Sequence, residues 1–328
     1  MLRRISGPTI TPPVSKAFTI IRSMKTSLKL LACAVAAAPL PVAATENLPQ
    51  LPVSQVVSLP KPGEFIVTPW YTYNYWKAYW KNAENVHVNV EKEDGFDQNN
   101  GMVSLQYGLC DKWALDLTVG YSSAAARFFD PDNQPHTTLG LMDTQFGVRY
   151  QVLTEQRHSW TPNLTLRAGG IIEGTYDDSF PFAPGDGASG FEPSVSFTKQ
   201  LFDFGLGLYG RGGWRVRTEH VPQTLFASFG AVQNIRFNGT VQNVSMHFGY
   251  LHLQDLSGGD IGGTHPKGLD ISYAQDVKEV IRGIEGGINC TFSNGWLLQY
   301  LMEYSMEGRN TPQKTHYGLY LSIPFGGK

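Results

Sequence analysis

Charge is scarce in this chain. Asp, Glu, Lys and Arg make up only 16% of its 328 residues, against roughly 25% in ordinary soluble domains. Cysteine is scarcer still, three residues in all, too few and too far apart for a disulfide framework. No apolar run reaches the roughly 18 residues of a membrane-spanning helix, and mean hydropathy is negative, which excludes a bundle of membrane helices. After residue 62 no stretch keeps a 3.6-residue apolar period, so amphipathic helices are missing as well. What is plentiful is glycine (35), phenylalanine (18) and tyrosine (15). Many glycines and aromatics with few charges point to β-structure facing a membrane.

The first 44 residues form a targeting segment. Met24-Lys25-Thr26-Ser27-Leu28-Lys29 is a short basic head, Leu30 to Leu40 an apolar run, and Val42-Ala43-Ala44 a set of small residues where a signal peptidase cuts. Cleavage is expected after Ala44. Residues 1–23 read as an overlong basic region or as an upstream start, and the second is favoured because Met24 opens a complete signal by itself. Cys33 lies too early in the apolar run for lipidation, so it leaves with the signal. Removing residues 1–44 takes six basic residues and no acidic one, leaving 20 Lys and Arg against 28 Asp and Glu. A mature chain of formal charge about −8 argues against nucleic acid as a partner. Residues 45–62 hold four prolines and no periodic pattern, and read as a periplasmic lead-in.

Beyond residue 62, alternation with period two dominates. Trp113, Leu115, Leu117, Val119 and Tyr121 fall on one face, with Ala114, Asp116, Thr118 and Gly120 on the other. Val244, Met246, Phe248 and Tyr250 oppose Ser245, His247 and Gly249 in the same way. The pattern predicts strands over 65–77, 100–109, 113–126, 139–152, 161–174, 189–200, 204–218, 223–236, 241–253, 277–291, 296–307 and 314–325. Twelve is an even number, as a single-chain outer-membrane barrel requires, and most strands are long enough to cross a bilayer at a tilt. Tight links at 109–112, 200–203, 237–240 and 293–295 mostly alternate with longer polar segments near 78–99, 127–138, 175–188 and 254–276; the short 219–222 link is the exception. This is the alternation of periplasmic turns and extracellular loops. Trp113, Trp160 and Trp296 start strands that leave the predicted periplasmic turns, with Phe204, Phe237, Phe292 and Phe325 nearby, which predicts an interfacial girdle.

A soluble sandwich alternates too. Here the apolar face is large in nearly every strand, the other face is rich in Gly, Ser, Thr, Gln and charge, and the chain ends on a strand with an aromatic anchor at Phe325. The expected fold is therefore all-β, a transmembrane antiparallel β-barrel of about twelve strands at 63–328, whose closure satisfies every backbone polar group in lipid.

Gln106-Tyr107-Gly108-Leu109-Cys110-Asp111-Lys112-Trp113-Ala114-Leu115, Thr138 to Tyr150 (TLGLMDTQFGVRY) and Leu164 to Gly174 (LTLRAGGIIEG) resemble hairpin and strand signatures of a bacterial outer-membrane family named for the MetA pathway of phenol degradation. The resemblance runs over about 63–328 and is clearest from 100 to 217. It departs from the family pattern at Cys110, where Thr is usual, and at Glu173. It implies an outer-membrane barrel of Gram-negative bacteria that takes up hydrophobic or aromatic compounds, and it carries no catalytic residues.

The charges predicted to face inward are Asp116, Arg149, Arg167, Glu192, Arg211, Arg215, Arg217, Glu285 and Glu303, with His247 beside them. They come from successive strands and predict a more basic wall facing a more acidic one. That pattern fits a selectivity zone for solutes, and it equally fits a salt-bridge lattice filling a barrel of intermediate bore. Ser245 and His247 are two apart on one strand, but they point inward and in an order unlike a lipid-facing Ser–His pair, so they are expected to be lining residues. Asp130 to Asn133, Asp177-Asp178 and Asp255 to Asp260 are acidic loop clusters without the spacing of a calcium loop, and no metal or other cofactor is predicted. Cys110 and Cys290 are four strand spacings apart; at about 4.8 Å each that exceeds disulfide reach, so two free thiols are expected. The function these features predict is a passive outer-membrane channel or transporter for a small solute rather than an enzyme. A lipid-modifying enzyme and a sealed structural or adhesive barrel are the alternatives. Expected partners are outer-membrane lipid and lipopolysaccharide, the small-molecule solute, and the barrel-assembly machinery through the C-terminal strand.

Overall fold

Period-two segments become strands, and the strands close on themselves. The structure, a computed structural model, describes residues 58–81, 86–89, 96–126, 136–156, 159–176, 187–218, 221–257 and 278–327. The signal segment, most of the lead-in, Asp130–Asn133, Asp177–Asp178 and Asp260 lie outside the described residues. The elements are β1 (Glu64–Lys81), β2 (Val86–Asn89), β3 (Phe96–Cys110), β4 (Trp113–Ala126), β5 (His136–Leu141), β6 (Thr144–Leu153), β7 (Asn163–Ile172), β8 (Gly190–Gln200), β9 (Leu206–Arg217), β10 (Thr224–Arg236), β11 (Val241–Asp255), β12 (Val280–Phe292), β13 (Leu297–Arg309) and β14 (Thr311–Gly326). No helix occurs among the described residues.

Neighbouring strands pair antiparallel in chain order, and β14 returns to pair with β1, from Glu64 opposite Gly326 to Trp80 opposite Thr311. The result is a closed twelve-strand barrel. Two short elements raise the strand count. The four-residue β2 folds back on the end of β1, and β5 and β6 together make one wall strand, both pairing with β4.

That split corrects the continuous strand predicted at 139–152. Tyr121 pairs with Leu141, whereas Thr118 pairs with Gln145, so one extra residue is inserted at Met142-Asp143, a β-bulge. An unbroken strand would have turned either Leu139 and Leu141 or Phe146 and Val148 away from the lipid. The bulge reverses the alternation, and all four side chains are exposed on the outer face.

The barrel is apolar outside and polar inside. Leu115, Leu117, Val119, Phe146, Val148, Val195, Phe229, Met246, Phe248, Ile288 and Tyr300 are exposed, while Thr72, Asn74, Asn100, Ser122, Thr165, Ser194, Ser196, Thr198, Ser245 and Asn289 are buried. A water-soluble domain buries its large apolar groups; this distribution is reversed because the surrounding solvent is hydrocarbon. At the end with short turns, Trp113, Trp160, Phe204, Phe237 and Phe325 are exposed, and Trp160, at 89%, stands almost clear of the protein. Gly295 closes one of these turns with φ 81°, its N–H donating to the Phe292 carbonyl at 2.9 Å, a conformation suited to glycine.

Candidate functional site

Asp116, Arg149, Arg167, Glu192, Arg211 and Arg215 come from the five consecutive wall strands β4, β6, β7, β8 and β9. Their alternation turns every one of them inward, and the register sets them in slanting rows. Asp116 pairs with Gly147, Gly147 with Gly169, and Gly169 with Glu192. Two carboxylates thus flank two bare glycines. In the neighbouring row Arg149 pairs with Arg167. Asp116 and Arg149 are therefore one inward position apart: Ala114, not Asp116, stands opposite Arg149.

The Arg167 guanidinium lies over the glycines between the two acids. It donates to Asp116 from Nη2 at 2.8 Å and from Nε at 3.0 Å, and its Nη1 is 3.5 Å from Glu192 Oε1. A side chain at Gly147 would put a Cβ 2.9 Å from Arg167 Nε. Arg149 donates to Gln106 Oε1 at 2.7 Å, and its Nε is 3.7 Å from Asp116 Oδ2. Glu192, with 1% of its side chain exposed, also receives Arg215 at 2.8–2.9 Å and Arg211 at 3.4 Å. Arg211 and Arg215 stand over the inward ring of Phe226, 5.1 and 5.9 Å from its centroid, within cation–π range. Four guanidinium groups thus share two carboxylates.

Glu285 and Glu303 stand directly opposite each other on β12 and β13. Tyr209 on β9 crosses two strands to donate to Glu285 Oε1 at 2.7 Å. Glu303 is paired with His316 on β14, which in turn is paired with Asn74 on β1. A neutral sector completes the wall: Asn74 donates to Gln98 at 2.9 Å, and Asn100 and Ser122 join across β3 and β4 at 2.6 Å. His247 packs edge-on against Tyr209, with centroids 5.8 Å apart, and lies 3.5 Å from Asn289 Nδ2.

Arg217, grouped with Arg211 and Arg215 in the sequence, belongs to a separate knot at the long-loop end. It donates to Asp143 at 2.7 Å and to the Ala188 carbonyl at 2.6 Å. Asp143 also accepts from Tyr176 Oη at 2.6 Å and from the Gly174 N–H at 3.1 Å. Sequence reasoning missed Asp143 because it sits in the bulge, where the alternation that assigns faces is reversed. It also missed the inward aromatics Trp70, Trp76, Trp80 and Phe96. On β1 both faces are aromatic, since Tyr71, Tyr73 and Tyr75 alternate with Trp70 and Trp76, so amphipathicity gave no signal there; Trp80 and Phe96 fall in the 78–99 segment expected as a loop, where β1 instead runs on to Lys81 and β3 begins at Phe96. Trp76 stacks on Phe96 at 5.4 Å, Trp70 stacks on Tyr320 at 4.8 Å, and Trp76, Trp80 and Phe96 are buried.

At the opposite end the last residues of the lead-in turn into the lumen. Pro60 is buried, and a Cβ on inward-facing Gly108 would sit 2.0 Å from the Lys61 carbonyl oxygen. Asp255, from one of the acidic loop clusters, accepts from Thr224 Oγ1 at 2.6 Å and the Glu279 N–H at 2.9 Å, so it ties strand ends together. No cluster of metal-ligand type occurs among the described residues. Cys110 is exposed, Cys290 is half-buried, and neither is bonded to the other.

Among solved structures, the chain is similar to the COG4313 outer membrane channel from Pseudomonas putida F1, at 14% identity and a TM-score of 0.63, over 88% of this chain and 100% of that one. More distant matches include the translocator domain of the autotransporter NalP from Neisseria meningitidis, at 11% identity and a TM-score of 0.41 over 96% of this chain and 100% of that one. The KdgM porin matches at 8% identity and 0.38 over 79% and 99%. No curated protein matches by sequence. The fold is that of a bacterial outer-membrane barrel. A family model described as "Putative MetA-pathway of phenol degradation" matches residues 96–321, and the chain belongs to that family.

Proposed function

We propose that this barrel is a passive channel that admits a small solute across the outer membrane. The observation that carries this reading is the division of the lumen into a cationic wall at Arg149, Arg167, Arg211 and Arg215 and an acidic wall at Glu285 and Glu303. Opposed charges across a narrow enclosed space orient and select solutes. The similar COG4313 protein is named an outer membrane channel, which favours a channel here, and the family's name favours phenolic or other aromatic compounds as its solutes. Inward-facing Trp70, Tyr320 and Phe226 supply aromatic faces that such a solute can meet. On this reading the short turns are periplasmic, the outer band contacts lipid, lipopolysaccharide surrounds the long loops, and β14, ending near Phe325, is the strand offered to the barrel-assembly machinery.

A sealed structural barrel is the second reading, favoured by the near-complete burial of Trp76, Tyr209 and Glu192. Recording from purified protein in planar bilayers separates the two. Discrete conductance steps from the full chain, or from a chain lacking residues 45–60, support the channel. Silence from both proteins, each shown to be a folded barrel by its heat-sensitive gel mobility, supports the seal.

A further inference from the structure

Arg211 is a loosely held cation of the lumen. Its oxygen contact is to Glu192 Oε1 at 3.4 Å, an atom that Arg167 also approaches, at 3.5 Å. The other oxygen of Glu192 is held closely by Arg215. Arg211 Nε is buried without a hydrogen-bond partner, yet 37% of its side chain is open to the lumen. A guanidinium presents a fork of parallel N–H donors matched to a carboxylate, and such two-point charge-assisted pairs are strong and directional. A buried donor left unmade is costly. The site therefore combines a loosely held guanidinium, an open approach to the exposed part of its side chain, and a cluster in which four guanidinium groups share two carboxylates. Phe226 lies under the guanidinium, its ring centroid 5.1 Å away.

We infer that Arg211, with Phe226 beneath it and Arg215 beside it, is a binding subsite for the carboxylate of a small monoanionic solute. This rests on the channel reading for its purpose but not for its detection. The acidic pair Glu285 and Glu303 faces the same space and disfavours a second negative charge, so the remainder of the solute is neutral. Lys314 on β14, two residues from the His316 that pairs with Glu303, is a cation outside the subsite.

Binding is measured with the full chain in detergent by titration calorimetry, using benzoate as the probe and neutral benzamide and cationic benzylamine as comparisons. Benzoate should bind at least about tenfold more tightly than either, the worth of one charge-assisted hydrogen bond. Arg211→Gln should remove that preference, Arg211→Lys should retain part of it, and Lys314→Gln should leave it intact, with heat-sensitive gel mobility showing each variant folded. Equal binding of benzoate and benzamide, or a preference that survives Arg211→Gln, overturns the inference. Selective binding by a barrel that never conducts upholds the subsite and rejects the channel. Conductance without the preference does the reverse.

Discussion

Arg167 reaches Asp116, two strands away, by laying its guanidinium across the bare inner face of Gly147. Nε and Nη2 both engage the carboxylate, and the Gly147 Cα carries nothing that would lift them off the wall. Gly147→Leu should displace Arg167 from the acid. Asp116→Asn should leave Arg149 and Arg167, paired side by side, without their shared counter-charge, at a cost of about 3 kcal/mol, as for a broken buried pair. Because both variants break one contact, their losses should not add in a double-mutant cycle. Guanidinium unfolding of barrels in lipid vesicles checks this, and strictly additive losses would show that Gly147 has no part in the pairing.

Leu117 lies mid-strand on the outer face. Leu117→Arg should destabilise the vesicle-inserted barrel by about 2–4 kcal/mol, the depth-dependent cost of a cation against acyl chains. On a water-facing surface the same change stays within about 0.5 kcal/mol. A small effect in vesicles would remove the lipid contact on which the membrane assignment of this face rests.

Gly108 lets the backbone at Pro60 and Lys61 lie against the lumen wall. Gly108→Val cannot coexist with a carbonyl oxygen 2.0 Å from its Cβ, so the segment must move off the wall. Single-channel conductance should rise severalfold over the parent protein. An unchanged conductance would mean that this segment does not narrow the path.

Cys110 is exposed at a short turn. If the short turns are periplasmic, a bulky maleimide too large for porins should label it only after the outer membrane is permeabilised. A Cys110→Ser variant gives the background from Cys290. Labelling of Cys110 on intact cells would reverse the assigned orientation.

Much of the barrel was legible in the linear chain. A strand's side chains alternate with a period of two residues, a local rule, so Leu115, Leu117 and Val119 could be set outward and Asp116 inward without any knowledge of partners. Twelve such segments, separated by turns, are enough for a closed wall. The same rule placed the ten candidate residues of the lumen on inward faces, and it failed where locality failed. At Met142-Asp143 an inserted residue reverses the faces, and Asp143 was overlooked. On β1, aromatic residues occupy both faces, and Trp70 and Trp76 gave no sign of pointing inward, while Trp80 lies beyond residue 77, where a loop was expected and β1 continues.

The sequence by itself thus determined that this protein is a lipid-facing β-barrel with a polar, charged interior. Only the tertiary structure decided which charges meet. Arg167 falls between Asp116 and Glu192, Arg217 goes to Asp143 instead of joining Arg211 and Arg215, and Glu285 faces Glu303. These relations depend on inter-strand register and on the closure of β14 against β1. Both are set by hydrogen bonds between residues far apart in the chain, which no local period encodes.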